Sequence, residues 1–224
     1  MKIQGAGAAN TILTGTSGFF SFGTSGIEIT GIGFTMGSGI FITIYGGQNW
    51  RVHNNSFTGT SGTSGDYAVL LRTSNFSNPP FGLIDNNTFS NSRVYVSRCI
   101  SQGWNCNVEA YYEANSFGNE NYVFIEDNTV TFTRQSNWID GNDAGKWVAR
   151  FNTLTDSEIM CHGVGYETGV RRGTKAWEIY NNSFTATGAP MSITPIFLRS
   201  GTGLIFNNTI SGTWTWTNSL LISS

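Results

Sequence analysis

The hydrophobic residues of this chain recur in one short pattern that contains no helical period. Each copy has an apolar strand with inward residues at alternate positions, then two small polar residues, usually Asn-Asn, then Ser or Thr and a large apolar residue. Alternation of this kind predicts a strand that buries one side. Six copies lie at 50–57, 82–89, 123–130, 147–154, 177–184 and 203–210, and a degenerate copy lies at 27–34.

The spacing of the copies predicts a repeat architecture. The second Asn of successive copies, from Asn55 to Asn208, recurs after 24 to 41 residues, and each interval holds a further apolar strand. Variable intervals of this kind are typical of a solenoid whose loops differ in length. These further strands lie at 68–71, 94–96, 138–139, 159–161 and 196–198, and another at 40–44 precedes the first interval.

The repeated Asn suits a bend between strands, because its side chain bonds to neighbouring backbone and tolerates left-handed angles. Stacked Asn residues in successive coils are expected to form an amide ladder. With these features the chain resembles the pectin-lyase-like family, which implies an all-β, single-stranded right-handed parallel β-helix of about seven coils. We expect one domain over 1–224, either complete or a fragment of a longer solenoid. Open strand edges at its ends would favour end-to-end or trimeric self-association.

Composition narrows the function classes. Aromatic residues make up 14% and charged residues 12%, which argues against disorder. The formal net charge of −2 argues against a nucleic-acid partner, and no apolar run is long enough to span a membrane. The N-terminus has no apolar core of a signal peptide. Cys99 and Cys106 are close enough to form a small disulfide loop, although three reduced thiols are an equal alternative.

The first candidate site is an outward column two residues before the second Asn. Asp85 and Glu126 would be adjacent carboxylates in this column, and such a pair either shares a proton or binds a hard cation such as Ca²⁺. The stretch 83–90 also resembles the Trp-Ile-Asp-His strand of pectate lyases, without its Trp and His. A solvated face of alternating charges is the alternative. The column comprises His53, Asp85, Glu126, Arg150, Tyr180 and Phe206.

The second candidate site is a column that closes the other strand. Asp140 and His162, each followed by Gly, would lie on adjacent coils, where the carboxylate orients the imidazole. The basic loop that follows would bind an anionic sugar or a developing oxyanion. Ordinary turn and loop roles are the alternative. The column comprises Arg72, Arg98, Asp140, His162 and Arg199, and the basic loop contributes Arg171, Arg172 and Lys175.

Two enzyme chemistries fit these residues. In a polysaccharide lyase His162 would be the base, Asp140 its orienting group and Arg172 a third catalytic residue. In a glycoside hydrolase the pair Asp140 and Asp143, or Asp85 and Glu126, would act as acid and base. Aromatic rings of the longest insertion would stack on sugars. The expected substrate-binding residues are Arg171, Lys175, Arg199, Arg98, Asp143, Trp104 and Tyr112.

The run from His162 to Asn182 resembles a group of bacterial and phage β-helix repeat proteins. The resemblance implies an extracellular, cell-surface or virion-associated protein with a polysaccharide partner. We expect an enzyme acting on an acidic polysaccharide, with no cofactor or with Ca²⁺. The alternative is a non-catalytic carbohydrate-binding or structural module of a phage tail fibre or an adhesin.

Overall fold

The computed structural model describes residues 1–16, 18–60, 67–73, 78–99, 114–163, 173–191, 194–214 and 220–222. Within these ranges the fold is all-β, and no helix is long and apolar enough to cross a bilayer. The strands described are β1 (Lys2–Gln4), β2 (Ile12–Gly15), β3 (Phe20–Phe22), β4 (Glu28–Thr30), β5 (Gly33–Met36), β6 (Ile40–Ile44), β7 (Gln48–His53), β8 (Ser56–Gly59), β9 (Tyr67–Leu71), β10 (Phe81–Asp85), β11 (Thr88–Ser90), β12 (Arg93–Ser97), β13 (Val123–Glu126), β14 (Thr129–Asn142), β15 (Lys146–Arg150), β16 (Thr153–Cys161), β17 (Ala176–Tyr180), β18 (Ser183–Met191), β19 (Ile196–Leu198), β20 (Thr202–Phe206), β21 (Thr209–Trp214) and β22 (Leu220–Ile222).

The strands pair in parallel in two large sheets. Sheet A consists of β1, β4, β7, β10, β13, β15, β17 and β20. The second sheet has two rows. Row B contains β2, β5, β8, β11, the first parts of β14 and β16, β18 and β21. Row C contains β3, β6, β9, β12, the second parts of β14 and β16, β19 and β22. The long strands β14 and β16 run through both rows and so join them.

The chain visits sheet A, row B and row C in turn, an order compatible with a parallel β-helix. In the part of the chain that the structure describes, sheet A has eight strands, which gives eight repeats where the sequence pattern predicted about seven. The repeat missed by the sequence pattern is the first, β1 to β3. It has no Asn pair to mark it, and the pattern was counted from the Asn turn.

Two columns of apolar side chains fill the interior as alternation predicted. One column, predicted from Val52 to Ile205 in sheet A, is buried as far as Ile179, and Ile205 in the last strand of the sheet is partly buried. The second lies in row B, where the rings of Phe34 and Phe57 stack 4.9 Å apart and those of Phe57 and Phe89 stack 5.1 Å apart. Stacked inward rings in successive repeats bury large apolar areas, the main stabilising term for such a fold.

The expected Asn ladder is present at the turn from sheet A to row B. The backbone amide and Nδ2 of Asn128 both donate to Oδ1 of Asn152 at 3.0 Å, and Nδ2 also donates to the carbonyl of Ile84. The same pattern links six residues in order: Asn55, Asn87, Asn128, Asn152, Asn182 and Asn208. The residue before each ladder Asn takes the left-handed angle instead, as Asn86 does at φ 53°. The two residues of the pair therefore divide the turn and ladder roles.

Large indole rings pack at one inward corner of sheet A. Trp50, Trp147 and Trp177 are buried there, as the recurrence of Trp at one repeat position indicated. The next repeat supplies glycine to two of these rings, because a Cβ at Gly82 would lie 2.4 Å from the ring of Trp50 and one at Gly203 2.2 Å from that of Trp177. The core is therefore continuous between repeats.

Candidate functional site

The outward face of row C holds the candidate site, in a register that differs from the sequence prediction. The column that continues from Arg72 comprises Arg72, Ser97, Asn142, His162 and Arg199. The sequence prediction wrongly placed Arg98 and Asp140 in this column. Asp140 pairs with Met160, which lies two residues before His162, and the column position on β12 is taken by Ser97, the residue before Arg98. The strand continues past Asp140 to Asn142, with no turn at Gly141. Glycine is needed at this position by the packing of the core, because a Cβ there would lie 2.6 Å from Nε1 of Trp147.

Asp140, His162 and Arg199 nevertheless meet at the surface of row C. Nε2 of His162 lies 3.1 Å from Oδ1 of Asp140, although the atoms are not aligned as a hydrogen bond. A guanidinium has only donors, so the 2.5 Å contact of Arg199 Nη2 with Nδ1 of His162 makes that nitrogen an acceptor. The neutral ring then carries its proton on Nε2, towards Asp140.

Glu158 is the principal residue that sequence reasoning missed. It is 7% exposed on β16, beside the strand that carries Asp140. Burial raises the pKa of this carboxyl to about 7, and the charge of Asp140 adds to the effect, whereas Arg199 and Arg93 oppose it. A carboxylic acid in the outward alternation of a strand that ends in Ile-Met-Cys was the available signal.

Tyr95 and Asp143 extend the site towards β9. Tyr95 pairs with Asp140 in the register of row C, and its hydroxyl lies 3.5 Å from Oδ2 of Asp143 and accepts a hydrogen bond from Asn142 at 3.1 Å. Burial and the charges of Asp143 and Asp140 raise the pKa of Tyr95 strongly, so the phenol is neutral at ordinary pH. A cavity of about 300 Å³ has both Tyr95 and Tyr67 in its lining.

The remaining predicted row C residues are dispersed. Arg98 is 3% exposed, and its guanidinium lies over the ring of Phe81 at 5.3 Å, so this side chain packs against Phe81 and is not presented at the surface of row C. Lys175 is partly exposed, and its backbone amide bonds to Gly145. Four predicted site residues lie outside the described residues: Trp104, Tyr112, Arg171 and Arg172.

The predicted outer column of sheet A is in register, from His53 through Asp85 and Glu126 to Phe206. Its carboxylates are paired with arginines. Arg51 donates to both oxygens of Asp85 at 2.8 and 2.6 Å, and Nε of Arg150 donates to Glu126 at 2.5 Å. Burial alone would raise the pKa of Asp85, but the bonds from Arg51 and Asn86 lower it.

These contacts use both oxygens of Asp85 and one oxygen of Glu126. Within the described residues, no group of three or more His, Cys, Asp or Glu side chains could hold a metal ion. Calcium binding by Asp85 and Glu126 stays a prediction.

The cysteines divide into two kinds. Cys99 is disulfide-bonded and lines the row C cavity, whereas Cys161 is a buried free thiol whose pKa is raised by burial. A buried thiol with a raised pKa is a poor nucleophile, so Cys161 belongs to the core.

No protein-family model, no curated protein and no solved structure matches this chain. A functional assignment therefore rests on the chain's own residues and contacts.

Proposed function

We propose that the chain is a right-handed parallel β-helix of the pectin-lyase-like kind whose row C face hydrolyses an acidic polysaccharide. One observation carries the proposal: two buried carboxyl groups, Glu158 and Asp140, lie on adjacent strands of row C, and burial keeps a proton on Glu158 near neutral pH. A pair of carboxyl groups, one of which keeps its proton, supplies the usual acid and base of glycoside hydrolysis.

Glu158 acts as the general acid. Its proton passes to the glycosidic oxygen while the bond between that oxygen and the anomeric carbon breaks. Desolvation is what makes the proton available at neutral pH, as it raises the pKa of the carboxyl to about 7. Arg93 and Arg199, which attract the glutamate charge, stabilise the carboxylate left after proton transfer.

Asp140 acts as the base that activates water. A water oxygen bonds to the anomeric carbon, and its proton passes to the Asp140 carboxylate, so each carboxyl exchanges its protonation state once per cleavage. His162, whose ring is held by Arg199, presents Nε2 at 3.1 Å from Oδ1 of Asp140 and so limits the positions that this carboxylate can take. His162 is thus a positioning residue.

The same geometry favours hydrolysis over a lyase reaction. A lyase base must accept a proton from the sugar, but Nδ1 of His162 already accepts from Arg199 and Nε2 faces Asp140. Neither nitrogen offers a free lone pair to a substrate. Hydrolysis by Glu158 and Asp140 does not require His162 to give up either of these contacts.

Flanking cations and the disulfide support the substrate class and the location. Arg72 and Arg199 lie in the same outward column, on either side of the repeats that carry the carboxyl groups. Arginines in these places suit a polymer with acidic sugars, because guanidinium pairs with carboxylate. The disulfide at Cys99 suits an oxidising environment, in agreement with an extracellular or virion-associated protein.

The test is a reducing-end assay on a panel of acidic polysaccharides with matched neutral polymers. We expect cleavage of at least one acidic polymer, and we expect Glu158→Gln to lower kcat by about 10²–10⁴-fold, the usual contribution of a general acid. Glu126→Gln, an equivalent change on sheet A, is the matched control and should leave kcat unchanged.

Three results would contradict the proposal. They are no new reducing ends on any polymer, an unsaturated product absorbing in the ultraviolet, which indicates a lyase, and equal loss of activity in both variants. Binding without cleavage would favour the non-catalytic carbohydrate-binding module.

A further inference from the structure

The row C cavity lies one repeat away from Asp140. It has a volume of about 300 Å³ and opens beside Tyr95, the register partner of Asp140. Sites of this size hold small organic groups against apolar walls with a few placed polar atoms. The lining residues are Ile40, Tyr67, Leu70, Arg72, Tyr95, Ser97, Cys99 and Asp143.

Arg72 brings an incompletely bonded guanidinium to this cavity. Its Nη2 donates to the hydroxyl of Tyr45 at 3.1 Å, and the group packs over the Tyr45 ring at 5.2 Å. Its Nε is buried and has no hydrogen-bond partner among the described residues. An unpaired buried donor is costly, and the natural acceptor for an arginine fork is a planar carboxylate.

The walls suit a sugar ring. The rings of Tyr67 and Tyr95 meet edge to face at 5.5 Å, and aromatic rings of this kind pack against the C–H faces of pyranoses. Burial raises the pKa of Tyr67, which stays a neutral phenol able to donate and accept hydrogen bonds. Asp143 and Ser97 add further polar atoms for sugar hydroxyls.

We infer that this cavity binds one uronic-acid residue of the substrate, with its carboxylate on Arg72 and its ring against the tyrosines. The inference rests on the proposed carbohydrate function and names the sugar of the polymer that the row C cavity binds. Asp143 then accepts from a ring hydroxyl, and the glycosidic bond towards the next sugar extends to Asp140 and Glu158 on the following repeats.

The test measures monosaccharide binding by ligand-detected NMR titration. The probes are galacturonate and glucuronate, the neutral sugars galactose and glucose, and glucose 6-sulfate. We expect at least one uronate to bind wild type at least about tenfold more tightly than its neutral counterpart, because only the acid meets the arginine fork.

The variants separate charge from geometry. Arg72→Gln should abolish the preference for the acid, and Arg72→Lys should keep a small part of it, because lysine is a point charge without the fork. Lys2→Gln removes an exposed cation of sheet A and should leave binding unchanged. Arg72 variants lose the contact with Tyr45. Thermal unfolding of each variant checks that the protein still folds without it.

Equal affinity for acid and neutral sugar, an unchanged preference in Arg72→Gln, or glucose 6-sulfate binding as well as glucuronate would overturn the inference. Cleavage without uronate preference would defeat the inference and leave the hydrolase proposal standing. Uronate binding at Arg72 without cleavage of any polymer would do the reverse.

Discussion

The outer faces of sheet A and row C both carry buried carboxyl groups, but they hold them differently. On sheet A, Arg51 forms two short hydrogen bonds with Asp85, which lowers the pKa of that carboxyl. On row C, Glu158 is buried without such a bond from an arginine of the described residues, and its pKa rises to about 7. Strand alternation alone places charged residues on both faces. The side chains that each carboxyl group meets on neighbouring strands decide whether it forms a structural ion pair or is a candidate acid or base.

Both faces depend on the Asn ladder, which gives the largest expected effect on stability. Asn128→Ala would leave the amide of Asn87 and the carbonyl of Ile84 without their buried partners. We expect the free energy of unfolding to fall by about 3 to 5 kcal/mol, the sum of several unmet buried groups. Chemical denaturation of wild type and variant measures it.

The matched control for the ladder is Asp127→Gly, at the exposed preceding residue of the same turn. Its φ of 55° is one that glycine adopts freely, so little stability should be lost. Similar losses in both variants would mean that the turn, and not the amide ladder, stabilises the stack.

The second prediction concerns the pH dependence that Glu158 brings to row C. Its pKa is raised from 4.5 to about 7 in the folded chain, so the folded state binds the proton more tightly than the unfolded state does. Stability contributed by this group is therefore full below pH 4.5 and is lost as the pH rises to about 7. The loss is on the order of 3 kcal/mol.

Glu158→Gln removes the titrating group and should flatten this part of the stability profile. Denaturation series between pH 4.5 and 8 on both proteins measure the difference. If wild type and variant lose stability in parallel over this range, Glu158 does not carry the raised pKa.

The smallest effect, of opposite sign, is expected on sheet A. The pKa of Asp85 is lowered below 3.8, so its contribution is present above that pH and is lost as the pH falls through the folded pKa. Asp85→Asn should cost about 1 kcal/mol at neutral pH, since one partner, Arg51, is half exposed. An acid titration of stability that is identical in wild type and Asp85→Asn would remove the contrast between the faces.

Much of the fold followed from the sequence, because alternation and the Asn turn are local signals. They gave the inner columns that begin at Val52 and Phe57, and the outer column through Asp85, in correct register. They missed the first repeat, because Lys2–Gln4 leads to no Asn pair. The ladder itself needed only the recurrence of Asn at one place.

The site was harder to predict, because it depends on contacts between strands. Asp140 and His162 were expected to meet and do so, but in a different register, because Gly141 serves the packing of Trp147 rather than a turn. Glu158 was overlooked because its significance lies in its burial, which the sequence around it does not encode. Arg98 looked like a ligand and is instead packed over Phe81.

The central claim is that row C holds a carboxylic acid that keeps its proton near neutral pH, whereas Asp85 on sheet A is ionised in an ion pair with Arg51. Carboxyl ¹³C NMR titration of the labelled protein, with Glu158→Gln to assign the resonance, measures this directly. The account predicts a Glu158 pKa of about 7. A midpoint at the ordinary value of 4.5 would contradict it and would leave row C without its acid.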